Sequence, residues 1–412
     1  MRSDFDVLIV GGGPAGASLA CALRDAPLTV GVVEAAPFSL STPPSYDDRT
    51  LALAYGSRRI FEGIGAWEGI VRRGATPIKR IHVSDRGRFG VARLDSADAG
   101  LDALGYVVTF RALGVSLYEV MQSQSNVTVI TPAKVGAVTL ADAGARVQVQ
   151  TEAGERVLNA RVVVAADGTA SPVREALGIV AERIVYGQTA IICSVTTERV
   201  PDGTAYERFT ESGPMALLPV DAERSALVWT VSTEQVDSVL GLDDIAFRAE
   251  LERRFGERLG RFVRVGRRQA FPLALLRARE DVRARFALIG NAAHTLHPVA
   301  GQGFNLGLRD VAALAEVLAD SAAAGEDPGS LECLRRYAAW RADDNRVTSA
   351  FTHSLVRIFA NDYAPLAWGR SLGLVAVDLL PPVKRRLIRL TSGLGGRLPR
   401  LACGIGLRAP VS

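Results

Sequence analysis

Short apolar runs and amphipathic stretches alternate through the first part of the chain. FDVLIV, Phe5 to Val10, predicts a buried strand of a parallel sheet. The Ala- and Leu-rich stretch from Ala15 to Leu23 predicts a helix, and LTVGVVE a second strand ending in Glu34. A helical stretch surrounds SRRIFEGIGAWEGI, and IKRIHVSD predicts one strand. TFRALGVSLYEVMQSQ predicts a helix with Leu113, Leu117 and Val120 on one face. From 127 to 166 the segments are short and β-rich, with a hairpin turning at Gly154. From 183 to 272 apolar and polar residues alternate, in AIICSVTTERV, TAYERFT, MALLPV and ALVWTVST. That predicts an antiparallel sheet, with a helix inserted at DDIAFRAELERRFGERL. RFALIGNAAH returns to a buried strand and a glycine-rich turn, and beyond it the pattern is helical.

The fold class is therefore α/β. A Rossmann-type nucleotide domain is expected at 1–72, 101–182 and 273–345, interleaved with a β-sheet substrate domain at 73–100 and 183–272. Residues 346–412 form a helical C-terminal region.

The first strand–helix junction carries chemistry. GGGPAG places glycine at 11, 13 and 16, the G-x-G-x-x-G spacing, with Pro14 and Ala15 in the same loop. Gly11 allows the tight turn, Gly13 lets a pyrophosphate approach the backbone, and Gly16 lets the helix pack on the sheet. The helix N-terminus then faces the phosphates. Glu34 lies eighteen residues after Gly16, where a carboxylate accepts hydrogen bonds from both ribose hydroxyls and repels a 2′-phosphate. The tightly held nucleotide is therefore not NADP, but this loop does not separate FAD from NAD.

Composition narrows the picture. The 412 residues are 48% hydrophobic and 22% charged, an ordinary globular profile with room for two domains. Cys21, Cys193, Cys333 and Cys403 are scattered without a C-x-x-C, which fits a reducing compartment. Four histidines, His82, His294, His297 and His353, do not suggest a metal centre, and no metal is expected. Residues 363–383 hold the most apolar long stretch, but Arg370 and Asp378 interrupt it. Each central charge costs roughly 2.5–3.5 kcal/mol on the insertion scale, and each Leu or Val returns only about 0.3–0.6. The eight Leu and Val residues there do not cover two charges, so no span is expected. No signal peptide is expected either, and the location predicted is cytoplasmic, with peripheral contact at the inner membrane. Net charge is +4, but Lys384, Arg385, Arg386, Arg389, Arg397, Arg400 and Arg408 follow the last acidic residue, Asp378. Such a tail lies on an anionic membrane, or is a basic helix that is solvated or docked on the protein. Nucleic acid is not an expected partner, because stacking aromatics and binding motifs are absent.

Three further stretches join the first loop. VVVAADGTAS ends a strand at Asp167 and Gly168, LIGNAAHTLHPVAGQGFNLGLRD spans 288–310, and DDRTLALA contains Arg49. In this order, over nearly the whole chain, the set resembles the FAD-dependent aromatic hydroxylases of the para-hydroxybenzoate hydroxylase class. HVSDRG, AYERFTESGPMALLP and FANDYAPL are most similar to the ubiquinone-biosynthesis hydroxylases, in particular to the 2-octaprenyl-6-methoxyphenol hydroxylase group.

The resemblance implies tightly bound FAD, with NAD(P)H as a transient reductant or a reductase protein in its place. It implies that Gly11, Gly13 and Gly16 hold the pyrophosphate and Glu34 the ribose. Arg49 approaches the pyrophosphate and flavin side, Arg111 contacts the flavin, and Asp167 and Gly168 lie near the pyrophosphate. Where the class has Gly-Asp near the ribityl chain, this chain has Gly290-Asn291, a neutral donor and acceptor. Gly301, Gly303 and Asn305 present backbone N–H groups to the flavin pyrimidine edge. The Pro298 carbonyl faces the substrate hydroxyl, and His297 is the neighbouring candidate for handling its proton, although packing in the loop before Pro298 is the favoured reading of that histidine. The implied reaction is hydroxylation of a polyprenylated methoxyphenol by O2, para to the phenol oxygen, through a flavin C4a-hydroperoxide. A pathway protein complex is a further implied partner. Two alternatives stay open: a sister hydroxylase acting at another ring position or on another phenol, and a non-catalytic flavin-binding scaffold. The G-W-x-W-x-I-P segment of flavin halogenases is absent.

Overall fold

The computed structural model describes residues 3–37, 45, 48–297, 301–359 and 363–407. An eight-stranded sheet is built around Phe5–Val10, which pairs in parallel with Val30–Val33 and with Gly154–Ala165. Val127–Ile130 and Phe286–Leu288 extend it in parallel. Residues of the central strand face two cores. Val7 and Ile9 pack under the helices Pro14–Ala22, Phe110–Gln122 and Gln302–Ala323, whereas Leu8 and Val10 pack against Val147, Val149 and Val163. Helical cover on one face and hairpin cover on the other explain why this strand reads as an unbroken apolar run. The hairpin forms as expected, with Gly144–Thr151 antiparallel to Gly154–Ala165 and Gly154 at φ +114° where the turn closes.

The second sheet has nine strands. From one edge they run His294–Thr295, Gln269–Ala278, Ala181–Thr197, Arg224–Ser232, Gly213–Pro219, Thr204–Thr210, Arg80–Asp85 and Val91–Asp95, with Phe262–Val265 beside Ala181–Thr197. The expectation of a purely antiparallel sheet needs one correction. Thr204–Thr210 pairs with Arg80–Asp85 in parallel. More than a hundred residues separate these strands, including Val127–Ile130 and Gly154–Ala165 of the first sheet, so no hairpin fixes their direction. The back of this sheet buries Trp229 against Phe247, Leu251 and Phe255 of the helix Asp244–Phe255.

IKRIHVSD is also corrected, because it divides between two sheets. Ala75–Ile78 belongs to a small antiparallel sheet with Thr50–Ala54 and Gly105–Thr109, and Arg80–Asp85 to the nine-stranded one. The break falls at Lys79, whose N–H donates to Gly203 O at 2.8 Å. The C-terminal region is helical, with Leu331–Phe359, Ala364–Leu379 and Pro381–Thr391. Both charges that interrupt its apolar stretch are paired. Arg370 meets Asp85 at 2.6 Å, and Asp378 accepts from Arg93 N at 2.8 Å. Among the described residues no helix is long and apolar enough to cross a membrane.

Candidate active site

A cavity of about 1040 Å³ is lined by both large sheets and by the C-terminal helices. One end is the glycine loop. Gly11, at φ +102°, turns the chain so tightly that a Cβ there would sit 2.6 Å from Ala166 O. A Cβ on Gly16 would sit 1.9 Å from Gly11 O, so only glycine lets the helix start this close to the sheet. Gly13 differs: it caps the helix Pro14–Ala22, and a Cβ there would meet nothing within 4 Å. Its open side faces the cavity, together with Pro14 and Ala15. Glu34 lines the same end; its Oε2 accepts from Gly12 N at 2.6 Å and its Oε1 from Ala36 N at 2.8 Å. Each carboxylate oxygen retains a further acceptor position. Asp167 and Gly168 close this end. Asp167 Oδ2 accepts from Val173 N at 3.1 Å, its Oδ1 is buried without a donor, and burial holds its carboxyl above the ordinary carboxylate value. Open backbone, a helix N-terminus and unused acceptors suit a dinucleotide.

Midway, Gly290, Asn291, Gly301, Gly303 and Asn305 all line the cavity. Asn291 is exposed into it, while Asn305 is buried and fully bonded. Asn305 Oδ1 accepts from Ala54 N at 2.8 Å and Ser57 Oγ at 2.7 Å; its Nδ2 donates to Ala52 O at 2.9 Å and Gly301 O at 2.6 Å. The side chain thus clamps the helix Gln302–Ala323 to the strand Thr50–Ala54. Gly301, at φ +61°, caps that helix and leaves its N-terminus directed at the cavity.

Behind this turn lies a buried charge network that the sequence reading overlooked. Asp310 is fully buried; it accepts from Gly290 N at 3.2 Å and from Arg341 Nε at 2.8 Å, and its Oδ2 lies 2.6 Å from His294 Nε2. Burial opposes its charge, but His294 and Arg341 prevail and hold its pKa down at about 2. His294 therefore serves the turn through a carboxylate. The signal was an Asp and an Arg on the apolar faces of two long helices, where a charge needs a partner.

The far end is apolar. Ile81, Val83, Ala92, Leu94, Ala190, Ile192, Ala205, Phe209, Ala216, Leu218, Val228, Phe271 and Leu273 present one face of the nine-stranded sheet. Phe351, Leu355, Phe359, Leu374 and Val377 oppose them from the helices. Two charged groups interrupt this end. Arg370 is held by Asp85 and by Ile358 O at 3.2 Å. The Glu207 carboxylate has no hydrogen bond or ion pair among the described residues, and burial pushes its pKa up to about 7. Asp85 is buried at the strand end as the partner of Arg370.

The remaining candidates fall elsewhere. Pro298 lies outside the described residues. His297 is buried and outside the cavity lining; its ring meets Tyr186 edge-on at 5.3 Å, and burial lowers its pKa to about 4. Arg111 Nε bonds Asp48 Oδ2 at 3.2 Å, and the Arg49 guanidinium lies 4.9 Å from the centre of the Phe110 ring. Phe110 lines the cavity, but neither arginine does. Cys21, Cys193 and Cys333 are buried thiols outside any disulfide.

Residues 4–346 match the family model described as FAD binding domain. The chain is 41% identical to ubiquinone hydroxylase UbiL of Rhodospirillum rubrum, over 98% of this chain and 93% of that one. It is 32% identical to 3-demethoxyubiquinol 3-hydroxylase of Escherichia coli, over 94% of this chain and 98% of that one. The crystal structure of p-nitrophenol 4-monooxygenase PnpA from Pseudomonas putida DLL-E4 superposes with a TM-score of 0.80 at 20% identity, covering 97% of this chain and 100% of that one.

Proposed function

We propose that this chain, which belongs to the FAD binding domain family and is an FAD-dependent monooxygenase of the ubiquinone-hydroxylase kind, hydroxylates a polyprenylated methoxyphenol para to its phenol oxygen. The observation that carries this reading is one continuous cavity lining, with a dinucleotide end at Gly11–Gly16 and an apolar end on the nine-stranded sheet. A flavin and a water-insoluble phenol fit the two ends and meet between them. Bound FAD supplies the oxygen chemistry. Gly13, Asp167 and the Pro14–Ala22 helix would hold its pyrophosphate, and Glu34 its ribose. Asn291 would meet the ribityl chain, and the N-terminus of Gln302–Ala323 would stabilise negative charge on the ring. The apolar sheet face orients the phenol and excludes water. In this reading the nucleotide domain comprises 1–72, 101–182 and 273–345, and the substrate domain 73–100 and 183–272. NAD(P)H is the transient reductant.

The same reading gives the protein a lipid-facing side. Helix Ala364–Leu379 lines the cavity with Leu374 and Val377, and turns Trp368, Leu372 and Leu379 outward, each more than half exposed. Arg385, Arg386 and Arg389 lie exposed on the next helix. An apolar strip beside cations suits an anionic bilayer, where a polyprenyl substrate resides.

Mass spectrometry of quinone intermediates in cells lacking the protein tests the assignment. Accumulated polyprenyl-methoxyphenol, cleared by the intact gene, supports it. Accumulation of a ring already oxygenated para to the phenol moves the reaction to another position, as in the Escherichia coli relative, which is named a 3-hydroxylase. Unchanged quinone removes the pathway.

A further inference from the structure

One row of cavity residues crosses six strands of the nine-stranded sheet. Backbone register places Ala92 opposite Val83, Val83 opposite Glu207, Glu207 opposite Ala216, Ala216 opposite Val228, and Val228 opposite Ile192. All six line the cavity, and five are apolar. On its own strand, the cavity-facing neighbours of Glu207 two residues away are Ala205 and Phe209. A carboxylate in such a row has no local reason to be there. An alanine or valine would pack as well as its neighbours and would carry no desolvation cost. Among the described residues no side chain compensates it. The other charged groups lining the cavity are Glu34 and Asp167 at the dinucleotide end, and Arg370, which is already held by Asp85. Arg208, on the same strand, donates to Arg254 O at 3.1 Å and to Ser84 Oγ at 3.4 Å. His82 and Arg258, 2.8 Å apart, pair with each other. The Tyr206 ring meets Phe255 edge-on, with ring centres 5.7 Å apart.

We propose that Glu207 is the base that receives the phenol proton of the substrate. This rests on the reading of the cavity as a phenol hydroxylase site. The Glu207 carboxylate accepts a hydrogen bond from the ring hydroxyl in a pocket that offers little other polarity. The phenol O–H bond breaks, the proton forms a new O–H bond on Glu207, and the electron pair stays on the phenolate oxygen. The phenolate pushes electron density onto the carbon para to it, the carbon that is to be oxygenated. The proton later leaves to solvent or product. Isolation from counter-charges also gives Glu207 the basicity this role needs. Desolvation alone raises its pKa to about 7, closer to a phenol than an ordinary carboxylate is. His297, a candidate for the same role in the sequence, is disfavoured by its position outside the lining and by a pKa lowered to about 4.

The test uses purified FAD-loaded protein, NADPH and a short-chain prenylated methoxyphenol, with Glu207→Gln and Glu207→Asp variants. Product formed and NADPH consumed are followed from pH 5 to 9. Wild type should give product with an acid limb near pH 7. Glu207→Gln should keep its FAD and its melting temperature, lose about 100-fold or more in product rate, and lose the limb. Glu207→Asp should restore part of the rate with the limb displaced. A Glu207→Gln variant with wild-type rate and unchanged profile overturns the role of Glu207 and leaves the hydroxylase reading standing. Wild type that binds FAD but makes no product from any such phenol overturns the reading, and this proposal with it.

Discussion

Gly13 and Gly16 stand three residues apart and should fail in different ways when a methyl group is added. At Gly16 the new Cβ would overlap Gly11 O at 1.9 Å, so Gly16→Ala should abolish soluble folded protein. At Gly13 the space is open, so Gly13→Ala should fold with an unchanged melting temperature but bind FAD roughly tenfold or more weakly, a loss of about 1.4 kcal/mol, read by flavin fluorescence on titration. Equal loss of fold in both variants would show that the loop is packed for its own sake. The glycine spacing was legible because each position answers to one steric demand. Asp310 was not legible, because its meaning depends on Arg341 and His294, distant in sequence and brought close only by helix packing. Its pH effect follows from sign. The folded pKa, about 2, lies below the ordinary 3.8, so its stabilisation is complete above 3.8 and is lost as pH falls through 2. Asp310→Ala takes the carboxylate from Arg341 Nε and His294 and leaves Arg341 to Asp344 and Asn345; it should cost about 3 kcal/mol in urea unfolding at neutral pH. Wild type and variant should then converge in stability toward pH 2. A constant difference across that range would place the effect in packing rather than charge.

Between elements, the register of the cavity depends on two close approaches. Gly307 on the long helix would drive a Cβ to 2.9 Å from Gly290 Cα, and Asn305 ties the same helix to Ala52, Ala54 and Ser57. Asn305→Leu keeps the volume and removes four hydrogen bonds, leaving the buried Ala54 N–H and Ala52 C=O to find other partners. It should cost on the order of 3 kcal/mol in urea unfolding and release FAD at lower temperature than the rest of the protein unfolds, followed by flavin fluorescence against circular dichroism. Coincident transitions would mean that the clamp is not local to the cofactor. Sequence periodicity identified most elements because burial on one or two faces leaves a period that can be read. It did not identify how strands distant in sequence pair. The division of IKRIHVSD at Lys79 and the parallel pairing of Thr204–Thr210 with Arg80–Asp85 are set by tertiary contacts. Glu207 was hidden for a related reason. Alternation puts it on the face of Ala205 and Phe209, but a glutamate on a strand ordinarily marks the solvent side, and only the assembled sheet shows that this side is a cavity wall.

At the scale of the molecule, the basic C-terminal segment divides its work. Ile388 is buried, and with Leu387 it packs near Leu94, Leu104 and Val377; Arg400 pairs with Asp320, and the Arg397 guanidinium lies 4.1 Å from the centre of the Trp340 ring. Those contacts fix the segment to the body and leave Arg385, Arg386 and Arg389 exposed beside the outward Trp368, Leu372 and Leu379. If this side meets an anionic bilayer, the two groups contribute separately. Each arginine near a charged surface adds about 1 kcal/mol, so reversing three should weaken binding to phosphatidylglycerol-containing vesicles by well over 100-fold at low salt. Binding by wild type should fall as salt rises. A Trp368→Glu, Leu372→Glu variant should lose binding to both anionic and neutral vesicles, because it removes apolar insertion rather than charge. Both variants should retain FAD, since none of these residues lines the dinucleotide end. Co-sedimentation with vesicles, alongside flavin absorbance of the pellet, separates the outcomes. Unchanged vesicle binding in both variants would remove this side from the lipid interface. The route of the polyprenyl chain into the cavity would then lie elsewhere on its rim.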